Sequence, residues 1–185
     1  MDIPSPATEW VQLVDAHDRP SGRAEKLDAH RRALLHRAFS VFVFDREGRL
    51  LLQRRADGKY HSGGLWTNTC CGHPRPGEAL TDAARRRLRE EMGFDCPLEP
   101  VGSLRYRLPV IGDLTEHEFD HLLCGLCETS PQPDPQEVGD WRRIAWPALM
   151  GELAASPDTF TPWLREILAR CRMDIETWLH EHCTR

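Results

Sequence analysis

Apolar and polar residues follow two different spacings along this chain, and each spacing predicts one kind of element. Short runs that are rich in β-branched and aromatic side chains are typical of strands. Such runs predict strands at residues 10–15, 39–45, 50–54, 104–108, 116–127 and 141–146. The turn sequence Arg46-Glu47-Gly48 joins the second and third of these strands, and it favours a hairpin.

Two segments carry apolar residues at helical spacing. Residues 81–92 predict a helix that ends at Gly93, because glycine commonly stops a helix. The tail of the chain predicts a long amphipathic helix from its recurring apolar residues, which are Leu164, Ile167, Leu168, Cys171, Ile175, Trp178 and Leu179. This order of elements predicts an α/β (α+β) fold in which a mixed sheet packs between helices. The 185 residues fit a single domain with its own core, and residues 1–8 are expected to form a loose tail.

Composition argues against several classes of protein. The formal net charge of −5 disfavours general nucleic-acid binding, and no apolar run is long enough to span a membrane. The N-terminal sequence MDIPSPATEW lacks the basic start and apolar run of a signal peptide. Seven cysteines without such a signal are typical of reduced thiols. We therefore expect a cytoplasmic protein that is a monomer or a weak dimer.

The segment TNTCCGHPRPGEALTDAARRRLREEMG, residues 67–93, carries the clearest functional motif. Six of its residues stand at the spacing of the Nudix box, a loop–helix–loop that holds a divalent cation against a diphosphate; they are Gly72, Glu78, Arg86, Glu90, Glu91 and Gly93. Arg87 stands where a Nudix hydrolase has a glutamate. The glutamate at that position serves metal-dependent hydrolysis, whereas an arginine is a cation that can bind phosphate. The exchange therefore favours a protein that binds a diphosphate without cleaving it.

Five residues are candidate ligands for a divalent metal, namely His30, His36, His73, Glu116 and Glu118. The two glutamates are two positions apart on a predicted strand, so their side chains point to one face. Imidazoles together with carboxylates suit Mn²⁺, Zn²⁺ or Fe²⁺. The residue types also fit alternatives that involve no metal. A single histidine more often lies on a surface or packs against a helix, and a Glu-His-Glu run also fits a solvated strand face.

Cys71 lies in a tight loop between Cys70 and Gly72, and it is a candidate for proton transfer or nucleophilic attack. A neighbouring cation or metal would lower the pKa of its thiol and so favour such chemistry. The alternative is a small buried side chain, which is the usual place of a free cysteine.

Lys26, Arg55, Lys59 and Arg87 are candidate ligands for a diphosphate. The two lysines are the only lysines among 24 basic residues, and a compact ammonium suits a phosphate site. Arginine can bind phosphate oxygens through two parallel hydrogen bonds. For Arg87 the alternative is a surface ion pair with Glu91, four residues along the same predicted helix.

These stretches together resemble the type I isopentenyl-diphosphate δ-isomerases, a family with the Nudix fold. The resemblance rests on the Nudix-like box and on the motifs HRAFSVFVF, LLLQRRADGK, LWTNTCCGHP, RYR, EHE and FTPW, and it covers about residues 9–165. It implies a Nudix-like mixed sheet between helices. It also implies an isomerase of isoprenoid biosynthesis that interconverts isopentenyl diphosphate and dimethylallyl diphosphate by protonation and deprotonation of the alkene.

The resemblance further implies a role for each candidate residue. Cys71 and Glu118 are implied as the acid and base on opposite faces of the alkene, and which of them is the acid in the forward direction stays open. Tyr106 is implied to hydrogen-bond near Glu118, and Trp163 to face the developing positive charge. One divalent ion, Mn²⁺, Zn²⁺ or Mg²⁺, is implied in the His/Glu site. A Mg²⁺ is implied to accompany the substrate diphosphate, with Glu91 as its ligand.

Two other functions fit parts of the same pattern. A Nudix hydrolase that cuts a nucleoside diphosphate derivative would share the fold, although Arg87 and the histidines argue against it. A module that binds a metal or a diphosphate without catalysis would fit an inert, buried Cys71.

Overall fold

A mixed β-sheet with helices on both faces forms the body of the protein, in a computed structural model that describes residues 9–59, 61–110 and 112–183. Over these residues the strands are β1 (Trp10–Val14), β2 (Pro20–Glu25), β3 (His36–Phe44), β4 (Arg49–Arg55), β5 (Trp66–Thr67), β6 (Cys70–Gly72), β7 (Glu99–Pro109), β8 (Thr115–Leu126) and β9 (Val138–Ala145). The helices are α1 (Lys26–Arg31), α2 (Leu80–Met92), α3 (Trp146–Ala155) and α4 (Pro162–Cys183), with a 3₁₀ turn at Pro157–Thr159. The predicted fold class is confirmed, whereas the expected loose tail at residues 1–8 lies outside the described residues.

Strand β3 is the centre of the sheet, and its pairing sets the position of the functional residues. It runs parallel to β8, with His36 beside Glu118, and antiparallel to β6, with Ser40 beside Cys71. On the far side of β8, strand β7 places Tyr106 beside Glu118. Because paired residues on adjacent strands project to the same face, four strands deliver these side chains to one region.

Alternate residues of β3 pack against different helices. Phe42 and Phe44 join the core that includes the apolar face of α4, while Val41 and Val43 join the core beneath α2. All four side chains are fully buried. Burial of one such side chain contributes about 1.5–3 kcal/mol to the stability of the fold, so these residues stabilise the packing of helices on both faces of the sheet.

The predicted elements agree with the structure within a few residues, with three exceptions. The hairpin prediction is correct only at the turn, because β4 pairs with β3 at Phe44–Leu50 and then runs along β9. The strand predicted to end at Trp146 stops one residue earlier, and Trp146 begins helix α3, with Pro147 in its first turn. Helix α3 itself was not predicted, nor were the short elements β2, α1, β5 and β6, whose few residues give too little periodicity.

The helices in the described ranges include none that is apolar over a length able to cross a bilayer. All seven cysteines lie within these ranges, and all are free thiols. The Cys124–Cys127 pair belongs to this set, with Cys124 fully buried in the core of β8.

Gly93 fixes the end of α2, the helix that carries Arg87 and Glu91. Its φ of 73° lies in the left-handed region, where glycine carries no Cβ penalty. A Cβ at this position would lie 2.2 Å from the carbonyl oxygen of Gln132. The backbone nitrogen of Gln132 in turn donates to the Met92 carbonyl at 3.0 Å. The loop after β8 therefore docks directly on the end of α2.

We predict that Gly93→Ala lowers the free energy of unfolding by about 2–5 kcal/mol. Alanine is unfavourable in the left-handed conformation, and its Cβ would also clash with the Gln132 carbonyl. Gly151→Ala is a matched control in α3, because its Cβ would meet nothing within 4 Å. The free energy of unfolding of that control should rise by about 0.5–1 kcal/mol, because alanine has a higher helix propensity than glycine. Thermal and urea unfolding measure both variants, and equal stability of the two would contradict the account of Gly93.

Candidate active site

A pocket of about 510 Å³ opens beside β3, and it brings together the residues predicted from the sequence. Every predicted site residue lines it except His30 and His36, which lie directly behind its wall and are 1% and 0% exposed. Residues from distant parts of the chain therefore meet at one place, and the pocket is large enough for a small organic diphosphate.

The five candidate metal ligands form one cluster, in which the ligand atoms all lie within 4.8 Å of one another. His30 Nε2 lies 3.0 Å from Glu116 Oε2, and His73 Nε2 lies 2.8 Å from Glu118 Oε1. His36 Nε2 lies 3.2 Å from His73 Nε2. The solvated-strand alternative is wrong, because the two glutamates are only 4% and 7% exposed, and the surface alternative is wrong for the buried His30 and His36.

The imidazoles of the cluster are oriented as metal ligands would be. Nδ1 of His30 lies 2.6 Å from the Lys26 carbonyl oxygen, and Nδ1 of His36 lies 2.8 Å from that of Leu34. A carbonyl only accepts, so each Nδ1 carries the hydrogen and each Nε2 turns a lone pair inward. Lone pairs that converge with two carboxylates fit a divalent cation.

The electrostatics of His73 and Glu116 agree with this fit, whereas burial would lower the pKa of His30 but the adjacent Glu116 raises it. Burial and then the charge of His36 hold the pKa of His73 well below its ordinary value, so this ring stays neutral and able to bind a metal. Burial and the charge of Glu118 would raise the pKa of Glu116, but the imidazoles of His30 and His61 beside it lower it. The carboxylate and the neutral imidazole are the forms that ligate a metal.

Glu118 has a second partner besides the histidines. The Tyr106 hydroxyl donates a short hydrogen bond to Glu118 Oε2. Burial and the adjacent Glu118 raise the pKa of Tyr106, so its hydroxyl keeps its proton. Burial alone would raise the pKa of Glu118, but His36 lowers it. The structure thus holds one oxygen of Glu118 with a phenol and the other beside the histidines.

Cys71 lies on β6, on the opposite side of β3 from the strand that carries Glu118. Its sulfur donates to Asn68 Oδ1 at 3.2 Å and lies 3.7 Å from the Ser40 hydroxyl. Burial and then Asp120 raise the pKa of the thiol to about 12. Cys71 is therefore protonated at neutral pH, and it lines the pocket.

Three of the candidate diphosphate ligands already face carboxylates. Lys26 pairs with Glu9 at 2.7 Å, and Lys59 pairs with Glu137 at 2.5 Å. Arg87 lies 3.5 Å from the same Glu137 and contacts Glu91 at 2.5 Å. The predicted Arg87–Glu91 ion pair exists, but it is not a surface pair, because the Glu91 side chain is only 8% exposed.

Arg55 is the fourth candidate, and part of it has no partner. Its Nε is buried and unbonded among the described residues, while an Nη donates to the His61 carbonyl at 3.2 Å. The guanidinium also lies 5.2 Å from the ring centre of Trp163, whose indole donates to Thr67 at 3.0 Å. A buried guanidinium with an unused donor is suited to an anionic ligand.

Glu91 lies in the pocket but outside the His/Glu cluster. Its second oxygen accepts from Gln53 at 2.9 Å. The close approach of α2 to β6 brings it there, since a Cβ on Gly72 would lie 3.1 Å from Arg87 Cγ. Any ion held by Glu91 would therefore be a second one, next to the basic residues.

His61 and Glu137 are among the pocket residues that were not identified from the sequence. His61 is buried, and its Nε2 lies 3.1 Å from Glu116 Oε1, while Glu137 pairs with two of the basic residues. Both lie in loops, where no periodicity assigns a direction to a side chain. His117 and His121 lie outside the cluster, and His117 Nδ1 lies 2.8 Å from the Ala33 carbonyl oxygen.

Comparison with known proteins identifies the class first. The NUDIX domain family matches residues 34–171. A crystal structure from Deinococcus radiodurans has a TM-score of 0.74 and 22% identity, and it covers 88% of this chain and 99% of its own. The MutT protein from Methanosarcina mazei has a TM-score of 0.62 at 18% identity, over 77% of this chain and 95% of its own. These matches define a Nudix-fold protein.

Curated relatives narrow the assignment within that fold. The isopentenyl-diphosphate Delta-isomerase of Burkholderia multivorans is 55% identical over 173 residues, which is 93% of this chain and 98% of the relative. Isopentenyl-diphosphate Delta-isomerase 2 of Photorhabdus laumondii is 50% identical over 171 residues, or 92% and 97% of the two chains. This chain belongs to the isopentenyl-diphosphate Delta-isomerase family.

We predict that the purified protein binds about one divalent ion in the cluster and that His73→Ala releases it, because one of five ligands is lost. Binding should also weaken at acid pH, because a protonated imidazole cannot ligate, and for His73 this loss should come only well below the ordinary histidine pKa. Elemental analysis after dialysis measures both effects. His117→Ala is the matched control and should keep its ion. Full metal content in His73→Ala would remove His73 from the ligand set.

Proposed function

We propose that this protein interconverts isopentenyl diphosphate and dimethylallyl diphosphate by adding a proton to the alkene and removing another from the adjacent carbon. The observation that carries the proposal is the placement of Cys71 and Glu118. They line one pocket from β6 and β8, the two strands that flank β3. Two proton-transfer groups on opposite walls are what a reaction on opposite faces of an alkene requires.

The two groups exchange roles between the two directions of the reaction. In one direction a proton passes from one group to the terminal alkene carbon, while the other group takes a proton from the allylic carbon. The reverse reaction uses the same groups in opposite roles, by microscopic reversibility. The raised pKa of Cys71 supplies a thiol that holds its proton. The hydroxyl of Tyr106 orients Glu118 through its hydrogen bond.

The His/Glu cluster supports the same reaction. His30, His36, His73, Glu116 and Glu118 would hold one divalent ion, Mn²⁺, Zn²⁺ or Mg²⁺, whose charge would fix Glu118 and tune its acidity. With all five ligands supplied by the protein, the cluster serves electrostatics and positioning rather than activation of a water molecule.

The basic wall of the pocket would bind the diphosphate. The unbonded Nε of Arg55 and the cations Lys26, Lys59 and Arg87 are suited to phosphate oxygens. Glu91, next to Arg87, would hold a Mg²⁺ on that diphosphate. Such an ion would also reduce the repulsion between the substrate and the carboxylates that now pair with these cations.

Trp163 would stabilise the positive charge that develops on the alkene. Its ring is 5% exposed and lines the pocket, and its indole nitrogen is fixed on Thr67. An indole face attracts a cation, most strongly where water is excluded. The same exclusion protects a carbocation-like species from capture by water.

We also propose a cytoplasmic location and a monomeric or weakly dimeric state. The free state of all seven cysteines suits a reducing compartment. Light scattering of the purified protein, with and without a diphosphate, measures the oligomeric state.

The proposed activity is tested by incubating the protein with isopentenyl diphosphate and following the products by NMR. We predict that Cys71→Ala and Glu118→Gln each lower turnover by more than about 10²–10⁴, because no water replaces the missing group in a dry pocket. Cys70→Ala is the control, since the neighbouring thiol is buried outside the pocket. Near-normal turnover of a folded Cys71→Ala protein would refute the assignment of Cys71.

Arg87 separates this proposal from a Nudix hydrolase. We predict that Arg87→Glu raises the KM for isopentenyl diphosphate strongly and creates no hydrolase, because an anion then faces an anion. Arg87→Lys should be milder but not silent, because an ammonium cannot form a two-pronged contact. Arg85→Glu is the matched control, since Arg85 lies on the same helix but pairs with Asp95, away from the pocket.

The readouts for these variants are KM, kcat and released phosphate. An unchanged KM in Arg87→Glu would make Arg87 a structural ion-pair partner only. Phosphate release from a nucleoside diphosphate derivative would favour the hydrolase instead.

A further inference from the structure

His61 contacts the metal-ligand cluster from outside it. Its Nε2 lies 3.1 Å from Glu116 Oε1, while His30 Nε2 lies 3.0 Å from Glu116 Oε2. Both oxygens of Glu116 therefore have an imidazole partner. Among the described residues, the ligand atoms that lie within 4.8 Å of one another do not include His61. His61 thus touches one ligand without belonging to the set.

Burial makes this contact significant. His61 is 5% exposed and Glu116 is 4% exposed, so water does not compete for the hydrogen bond. A carboxylate that binds a metal through one oxygen leaves the other to be satisfied by a neighbour. A neutral imidazole can do this through an Nε2 hydrogen, while its Nδ1 lies 3.4 Å from the hydroxyl of Ser62.

Close backbone contacts directly after His61 restrict where its ring can lie. Ser62 has a φ of 52°, and a Cβ on Gly63 would lie 2.6 Å from the Asp57 carbonyl oxygen. The loop is closed by two backbone hydrogen bonds, Arg55 N to Leu65 O at 2.9 Å and Gly64 N to Arg55 O at 3.0 Å. A ring held by such a loop can position a second side chain precisely.

The ring and the backbone of His61 serve different parts of the pocket. The ring stands edge-on to Trp163, with 5.7 Å between ring centres and an angle of 89°. The carbonyl oxygen accepts from Arg55 at 3.2 Å. A change of side chain therefore alters the support of Glu116 and Trp163 but leaves the backbone contact of the anion-binding Arg55.

We propose that His61 is a positioning residue that fixes Glu116 as a metal ligand by a hydrogen bond to Glu116 Oε1. Its ring also packs against Trp163 and supports the indole. The part that concerns Trp163 rests on the proposed isomerase function, whereas the part that concerns Glu116 does not. The ring acts by donating a hydrogen bond, and it does not itself bind the metal.

The test compares His61→Ala, His61→Gln and His61→Leu with the wild-type protein. Competition between each protein and a fluorescent chelator for Mn²⁺, and separately for Zn²⁺, measures metal affinity without substrate. His61→Ala and His61→Leu should weaken binding about 10–100-fold, the usual cost of losing a hydrogen-bond partner of a ligand. His61→Gln keeps an N–H donor and should stay within about threefold of wild type. His121→Ala, whose ring pairs with Asp18 at 2.9 Å, is the control and should bind normally.

Kinetics at saturating metal supply the second readout. In His61→Leu, kcat should fall while the KM for isopentenyl diphosphate stays within about twofold, because the Arg55 contact is made by the backbone. Wild-type metal affinity in a folded His61→Ala or His61→Leu protein would overturn the proposal. So would an equal loss in His61→Gln, which would make the imidazole a direct ligand. Because affinity is measured without substrate, failure of the isomerase assignment leaves this result readable.

Discussion

Two carboxylates buried side by side are the constraint on which the site depends. Glu116 and Glu118 project from the same face of β8 with 4% and 7% of their surface exposed. Like charges in such a low-dielectric environment repel each other and lose their hydration. Neutral imidazoles supply hydrogen-bond donors and metal ligands, but they do not supply a full positive charge to compensate the two carboxylates. The cluster therefore makes physical sense around a divalent cation, which would neutralise the pair and hold Glu118 at the pocket wall.

The parallel pairing of β3 with β8 makes this arrangement possible. One register places His36 beside Glu118, and the antiparallel partner β7 adds Tyr106. On the other edge of β3, Cys71 is held by β6. A shift of one residue in any of these pairs would turn the side chain to the opposite face of the sheet, towards the core beneath α2. The geometry of the proposed site is thus a property of the sheet register more than of any loop.

The sequence predicted much of this, for reasons that differ between residues. Residue periodicity predicted the strand with Glu116 and Glu118, and periodicity together with a terminal glycine predicted the helix that ends at Gly93. The spacing of the Nudix box identified Arg87 as a candidate site residue. The sequence could not predict that the candidate ligands His36 and Glu118 are buried side by side, since β3 and β8 pair across some 80 residues of chain. Nor could it locate His61, whose direction depends on a closed loop. The raised pKa of Cys71 follows from burial, which tertiary packing alone determines.

The most direct test of the account follows the origin of the transferred proton. The protein, equilibrated in D₂O, is incubated with isopentenyl diphosphate, and the product is examined by ²H and ¹H NMR. Because exchangeable groups of the protein donate the proton, the account predicts dimethylallyl diphosphate with deuterium in a methyl group and no released phosphate. Dimethylallyl diphosphate without deuterium would mean that hydrogen moves within the substrate, and it would contradict transfer through two protein groups on opposite sides of the pocket.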